Sequence, residues 1–298
     1  MKILVFGSFN IDKVYSMPHL PERGETLYCK GFEIHVGGKG LNQALAFSKA
    51  GEQVFVGGKV GKDGEYLTGY LKANGIDISD IDSSGEHTGH TIIETDPDGQ
   101  NQMILFGGAN REITEDYCDY LLSKHGDADL VLMQYETSCV EYMLAKAHSL
   151  GIKTALNPSP YVKAINDIDF SSADILILNE YEAQSITGKK DARECAEALY
   201  TLGSREIILT LGADGSVYYD GERYVTCPAF KVNAVDTTGA GDTFTGYCLS
   251  RLLGGAQPYD ALITGSAASA IEVTKPGAAE TIPSKDEVER FLLANKTM

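Results

Sequence analysis

Residues 236–247 read Asp236-Thr237-Thr238-Gly239-Ala240-Gly241-Asp242-Thr243-Phe244-Thr245-Gly246-Tyr247 (DTTGAGDTFTGY), a flexible turn and a carboxylate at the start of a helical pattern. Glycines let the main chain approach a ligand closely. The unpaired N–H groups of a first helical turn, with the helix dipole behind them, attract anions such as phosphate. A carboxylate placed there can take a proton from a hydroxyl attacking that phosphate. A plain loop closed by an Asp N-cap reads the same way, so the rest of the chain has to decide.

Upstream, short apolar runs alternate with segments of helical period. They are Ile3 to Phe6, Gly40 to Ala50, Val54 to Gly57, Glu65 to Ala73, Leu130 to Met133, Val140 to Leu150, Thr154 to Leu156 and Ile175 to Leu178. This order predicts βα units around a mostly parallel sheet. Ile207 to Leu211 reads as a buried strand, and Val217 to Tyr219 with Tyr224 to Thr226 as a hairpin across Asp220-Gly221. Helices are predicted at Gly241 to Leu253, Tyr259 to Val273 and Lys285 to Ala294. Two stretches break the alternation. One runs from Asp12 to Val36, with β-prone pieces at Glu25 to Tyr28 and Phe32 to Val36; the other places His90 to Glu94 and Gln102 to Phe106 around the turn Asp96-Pro97-Asp98-Gly99. Together they predict a small antiparallel sheet, built from about 12–36 and 88–108, that covers a site as a lid or clasps a second copy, an ordinary surface hairpin being the alternative.

The chain has 298 residues, 43% hydrophobic and 22% charged, which suits a soluble enzyme of one large α/β domain or two small ones. Its net charge of −17 argues against a nucleic-acid surface or an anionic membrane as partner, since both demand clustered Lys and Arg. ATP needs only local positive potential. No apolar run approaches the ~20 residues that cross a bilayer, and the MKILVFGSFNID start lacks a signal-peptide core, so a cytoplasmic place is expected. The six cysteines include no CxxC pair, and the histidines have no ligand-like spacing. HExxH and GxxxxGK[ST] are both missing, which removes the usual support for a zincin or a P-loop nucleotidase.

Polar groups gather where strands are expected to end. Gly7-Ser8-Phe9-Asn10-Ile11-Asp12 sets an amide and a carboxylate two residues apart, facing the same way if extended, which suits a polyol. Val36-Gly37-Gly38-Lys39-Gly40-Leu41-Asn42-Gln43 runs a second Gly-rich loop into a helix, with Lys39 and Asn42 on one face. That helix start fits a grip on a hydroxylated substrate; a phosphate cradle and a simple turn with a solvated lysine remain open. Met133-Gln134-Tyr135-Glu136, Asn179-Glu180-Tyr181-Glu182 and Thr210-Leu211-Gly212-Ala213-Asp214-Gly215 end three more strands, and Thr274-Lys275-Pro276-Gly277-Ala278 follows a small-residue helix.

In order and spacing, GSFNID, GGKGLNQALA, NEYE, TLGADG and DTTGAGDTFTG resemble the PfkB-type carbohydrate kinases, and GGKGxNQA with MQYE is most similar to the ribokinase branch. The resemblance runs from Gly7 to Gly277 and implies a single kinase domain over 1–298. The implied fold is a ribokinase-like three-layer α/β/α sandwich with a mostly parallel central sheet and an inserted β lid. It implies ATP-dependent phosphorylation of a primary sugar hydroxyl, with ribose as the expected acceptor. Deoxyribose, fructose or a nucleoside is the alternative, and a catalytically silent sugar sensor a remoter one. Asn10, Asp12, Gly38, Lys39, Asn42 and Glu136 match sugar-binding positions. Asp242 matches the catalytic base, and Gly239, Ala240 and Gly241 the anion hole. Asn179, Thr210, Gly212, Gly215 and Gly241 match nucleotide-binding positions, with Glu182 associated with Mg²⁺ through water. Asp236, Thr238, Glu272, Lys275, Gly277 and Thr281 are similar to a K⁺ site that acts mostly through backbone. Glu272 departs from the small residue usual there. A homodimer formed through the lid is implied as well.

Overall fold

The computed structural model describes residues 1–295, so the last three residues of the expected 1–298 unit lie outside it. In chain order the elements are β1 (Lys2–Phe6), β2 (Asn10–Ser16), β3 (Gly31–Gly37), α1 (Lys39–Ala50), β4 (Gln53–Gly61), α2 (Glu65–Ala73), β5 (Ile81–Gly85), β6 (Gly89–Thr95) and β7 (Asn101–Phe106). There follow α3 (Glu115–Lys124), β8 (Leu130–Gln134), α4 (Val140–Ser149), β9 (Thr154–Asn157), β10 (Ile175–Asn179), α5 (Glu180–Thr187), α6 (Ala192–Thr201) and β11 (Glu206–Thr210). The last elements are β12 (Ser216–Tyr219), β13 (Tyr224–Cys227), α7 (Ala240–Leu253), α8 (Pro258–Glu272) and α9 (Lys285–Asn295).

A nine-stranded sheet in the order β13-β12-β11-β10-β9-β8-β1-β4-β5 forms the centre. Its pairings from β11 through to β5 are parallel, and β12 and β13 complete one edge as an antiparallel hairpin. The apolar runs are buried on both faces because alternate residues feed separate cores. Ile3 and Val5 pack with α1, α2, α7, α8 and α9, while Leu4 and Phe6 pack with α3, α4 and α6. That is the expected three-layer sandwich. Burying side chains of this size stabilises by about 1.5–3 kcal/mol each, so either face of β1 is intolerant of a polar residue.

The small sheet is present in the order β3-β2-β6-β7. Its outer pairings are antiparallel, while β2 and β6 run parallel, Asn10 opposite Gly89 through Ser16 opposite Thr95. Two details differ from expectation. Glu25 to Tyr28 forms no strand, and β2 begins at Asn10, two residues before the expected start of the small sheet, so Asn10 and Asp12 both sit on one of its strands rather than at the exit of β1. The structure also adds α3, α5 and α6, which the sequence reading did not predict.

Candidate active site

Two helix starts without side-chain caps face each other. Lys39 opens α1 behind Gly38 at φ 96°, and Ala240 opens α7 behind Gly239 at φ 83°. Both glycines occupy the left-handed region that side chains rarely enter. The Ala240 N–H reaches the Thr237 carbonyl at 3.3 Å, whereas the N–H groups of Gly241 and Asp242 have no backbone acceptor among the described residues. Of the expected anion-hole residues, Gly239 and Gly241 keep free N–H groups among the described residues and Ala240 does not, and the Asp242 N–H adds a third free donor at the positive end of α7. The turn is held from behind, the Ser269 hydroxyl on α8 donating to the Ala240 carbonyl at 2.7 Å. Close contact of α7 with α1 depends on Gly246, where a Cβ would lie 2.4 Å from that of Ala46.

Asp242 is buried at 6% exposure, yet it faces a cavity of about 200 Å³. Asn42 Nδ2 donates to its Oδ2 at 3.0 Å and Gln43 Nε2 to its Oδ1 at 2.8 Å. Lys39 lines the same cavity. Burial alone would depress its ammonium, but the carboxylates of Asp242, Glu136 and Glu182 more than offset this and hold it above the usual lysine range. A fixed cation thus stands among the carboxylates, suited to an anionic ligand.

Of the expected sugar-binding residues, Lys39 and Asp242 line the cavity, whereas Asn10, Asp12, Gly38, Asn42 and Glu136 do not and gather beside it, toward the small sheet. The amide of Asn110 donates to Asn10 Oδ1 at 2.8 Å. Ser8 Oγ donates to Glu136 Oε2, which also accepts from the Lys39 N–H at 3.2 Å. Asp12 folds over Gly37, where a Cβ would meet its Oδ2 at 2.0 Å. Burial pushes the Asp12 carboxyl up to about 6, with the Thr91 hydroxyl and His35 pulling back and Glu136 and Glu280 adding to the rise. Asn42 Oδ1 is buried without a partner, an acceptor free for a ligand hydroxyl. Sequence reasoning missed Ser8 and Asn110, whose roles arise only through contacts with distant segments.

On the opposite side the cavity is lined by Asn179, Glu182 and Thr210 with Thr237, Gly239 and Gly241. Asn179 and Glu182 form a reciprocal cap on α5: Asn179 Oδ1 accepts from the Glu182 N–H at 2.9 Å, and Glu182 Oε2 from the Asn179 N–H at 3.0 Å. This leaves Glu182 Oε1 without a hydrogen bond. Gly212 and Gly215 shape the turn between β11 and β12, at φ 58° and 105°, and do not line the cavity. Among the described residues no three His, Cys, Asp or Glu side chains are placed to hold a metal ion. One free carboxylate oxygen suits Mg²⁺, which keeps several waters and binds through one or two carboxylates plus substrate phosphates.

Behind the α7 turn, the expected K⁺ residues converge, though several of their groups are already engaged. Asp236 accepts from the Thr238 N–H at 2.9 Å and the Gly277 N–H at 3.1 Å. The Glu272 carbonyl accepts from the Lys275 N–H at 3.0 Å, and the Thr281 hydroxyl donates to the Gly277 carbonyl at 2.9 Å. The Glu272 side chain is wholly buried, and neither carboxyl oxygen has a partner. Its Oε1 lies 2.8 Å from where a Gly239 Cβ would stand. Burial pushes this carboxyl up to about 8, the nearby Thr243 hydroxyl offsetting part of the rise and Asp242 and Asp236 adding to it. Two buried oxygens without a partner are the donor type a monovalent cation takes.

Residues 1–285 match the model of the pfkB family of carbohydrate kinases. The chain is 35% identical over 300 residues to a ribokinase of Haemophilus influenzae, covering 97% of this chain and 98% of that one. A ribokinase structure from Thermotoga maritima superposes with a TM-score of 0.89 at 33% identity, covering 98% of this chain and 99% of that one. An Arabidopsis thaliana ribokinase structure complexed with ribose and ATP gives 0.87 at 29% identity, covering 97% and 98%.

Proposed function

The chain belongs to the pfkB family of carbohydrate kinases, and on that footing we propose that it is an ATP-dependent ribose kinase forming ribose 5-phosphate. The observation that carries this reading is Asp242, a buried carboxylate facing the cavity one residue after Gly241, with the free N–H groups of both at the same helix start. Asp242 takes the proton of the sugar's primary hydroxyl as that oxygen attacks the γ-phosphorus, and ADP leaves. The N–H groups of Gly241 and Asp242 and the Lys39 ammonium stabilise the charge on the transferring phosphoryl group. Asn10, Asp12, Asn42 and Glu136 hold the sugar hydroxyls against the lid, which excludes water.

Asn179 and Thr210 border the nucleotide, with Gly212 and Gly215 shaping the adjoining turn. Mg²⁺, when bound with ATP, neutralises phosphate charge, and Glu182 Oε1 is the group that would hold one of its waters. K⁺ would sit among Asp236, Thr238, Glu272, Lys275, Gly277 and Thr281, adding positive potential behind the anion hole.

The kinase unit spans the chain with the small sheet as lid, and two copies pair through that sheet. Phe32, Ile34, Met103, Ile104, Leu105 and Phe106 are exposed there, which supports a dimer. Six unpaired cysteines fit a reducing cytoplasm.

ADP release measured over pentoses, hexoses and nucleosides, with Mg²⁺ and with or without K⁺, tests the reading. Ribose is expected to give the highest kcat/KM. A better turnover of deoxyribose, fructose or a nucleoside would remove ribose as the substrate and leave the kinase chemistry. No ADP from any acceptor would leave a sugar-binding protein without catalysis.

A further inference from the structure

Gln43 follows Asn42 on α1 and is wholly buried, and its amide is occupied at both ends. Gln43 Nε2 donates to Asp242 Oδ1 at 2.8 Å and to Asn157 Oδ1 at 3.2 Å. Gln43 Oε1 accepts from Gln134 Nε2 at 2.7 Å. Asn157 is fixed in turn, its Nδ2 donating to the Ile177 carbonyl at 2.7 Å. None of these amides can flip alone. Turning Gln43 over would set its carbonyl against the Asp242 carboxylate and its NH₂ against that of Gln134. Gln134 has no room to retreat, since a Cβ on Gly7 would lie 2.0 Å from its Oε1.

The anchors lie on adjacent parallel strands. Gln134 at the end of β8 stands opposite Asn157 at the end of β9, and Ile177 belongs to β10. Asp242, by contrast, stands in the first turn of α7, where helices fray and side chains lose definition. Gln43 does not itself line the cavity; it touches two residues that do, Asp242 and Asn157, and of these only Asp242 carries a reacting group.

We infer that Gln43 is a positioning residue: held by Gln134 and Asn157, it locks the Asp242 carboxylate to the C-terminal edge of the sheet and leaves Oδ2 to face the sugar hydroxyl. The inference rests on Asp242 being the base of the proposed reaction. With Gln43 on Oδ1 and Asn42 on Oδ2, the remaining lone pair of Oδ2 has a defined direction. Lys39 and Glu272 are the other charged or titratable groups facing Asp242, and neither fixes the orientation of its carboxylate plane.

The experiment compares the full chain with Gln43→Met, Gln134→Met and the double variant, following ribose-dependent ADP release from pH 5 to 9 with thermal unfolding alongside. Methionine keeps the volume and removes the amide. Gln43→Met is expected to lower kcat about tenfold or more, the scale of one hydrogen bond to a charged group, with KM for ribose and ATP within about threefold. The acid limb of kcat is expected to move to higher pH, because the carboxylate loses a donor that favours its ionised form. Gln134→Met should show a smaller change in the same direction. The double variant should be no worse than Gln43→Met, since Gln134 acts only through Gln43.

A folded Gln43→Met with kcat within twofold of wild type and an unmoved acid limb would overturn the inference and leave Gln43 as packing. If Gln43→Met does not fold, Gln134→Met carries the same test, and an unmoved acid limb in it overturns the inference equally. A wild type that releases no sugar-dependent ADP would take down the kinase reading itself, a result distinct from active wild type with indifferent variants.

Discussion

Asn42 Nδ2 donates to Asp242 Oδ2 at 3.0 Å, joining the starts of α1 and α7 across 200 residues of chain. Two Gly-rich loops that look like separate devices in the sequence are one site in the fold. Replacing the proposed base tests it directly: Asp242→Asn should keep the fold and lower kcat by about 10²–10⁴-fold, the usual worth of a general base. Steady-state kinetics beside circular dichroism checks this, and near-normal turnover would remove Asp242 from that role.

Asn42 supplies one donor to the base and one unpartnered acceptor. Asn42→Leu should therefore raise KM for the sugar and lower kcat together, each by about tenfold or more on the scale of a lost hydrogen bond to a charged or buried group. KM for ATP should hardly move. A change confined to the ATP constant would place Asn42 on the wrong side of the site.

The Asp12 carboxyl is raised from 3.8 to about 6, mainly by burial. Because the folded state holds the proton more tightly, this group's contribution to stability falls as pH rises from about 4 through about 6. Sugar binding should run the other way, since only the ionised form accepts from hydroxyls on both oxygens. KM for the sugar is expected to rise as pH drops below about 6, and this dependence should vanish in Asp12→Asn, as initial rates across pH 5 to 8 will show.

Glu272 carries a large hidden electrostatic cost, raised from 4.5 to about 8 with neither oxygen bonded. A raised carboxyl binds its proton preferentially in the folded state, so stability falls as pH climbs from about 4.5 to about 8. Glu272→Gln removes that slope. In K⁺-free buffer its Tm should exceed that of wild type at pH 8 and converge with it near pH 5, the underlying difference in unfolding free energy at pH 8 being on the order of a few kcal/mol. A cation beside the carboxylate favours its ionised form, so added KCl should narrow the gap; parallel Tm curves at all pH values would dismiss this role for Glu272.

Away from the site, buried Asp80 accepts from His125 at 2.8 Å, Lys124 at 2.5 Å and Tyr120 at 2.8 Å, tying the approach to β5 to α3. Burial opposes its ionisation, but these donors prevail and its carboxyl lies below the usual range. Its stabilisation is thus present above the unfolded-state value and lost as pH falls through the folded one. Asp80→Asn should cost about 3–5 kcal/mol in urea unfolding at pH 7, the scale for breaking a buried ion pair. That loss should shrink in acid.

Strands β1, β8, β9, β10 and β11 were legible because each is an apolar run of strand length that the sheet buries on both faces. The boundaries of α2 were legible from helical period alone. The small sheet was only partly so: Glu25 to Tyr28 has strand composition but finds no pairing partner, whereas Asn10 to Ser16 is flanked by β3 and β6 and becomes part of its centre. Propensity cannot foresee pairing.

The sequence by itself determined which backbone stretches end in glycines, amides and carboxylates, and hence that Asp242, Lys39, Asn42 and Glu136 were candidates for a chemistry of hydroxyls and phosphates. Local spacing decides that, because a helix start or a strand end presents its groups wherever it lies in the chain. Only the tertiary structure decided which groups meet. Gln43 finds Asp242, Gln134 and Asn157; Ser8 finds Glu136; and the side chain of Glu272, a residue placed in a site expected to act mostly through backbone, sits wholly buried under Gly239. These contacts are set by strand register and helix packing between segments far apart in the chain, and no short window of residues encodes either.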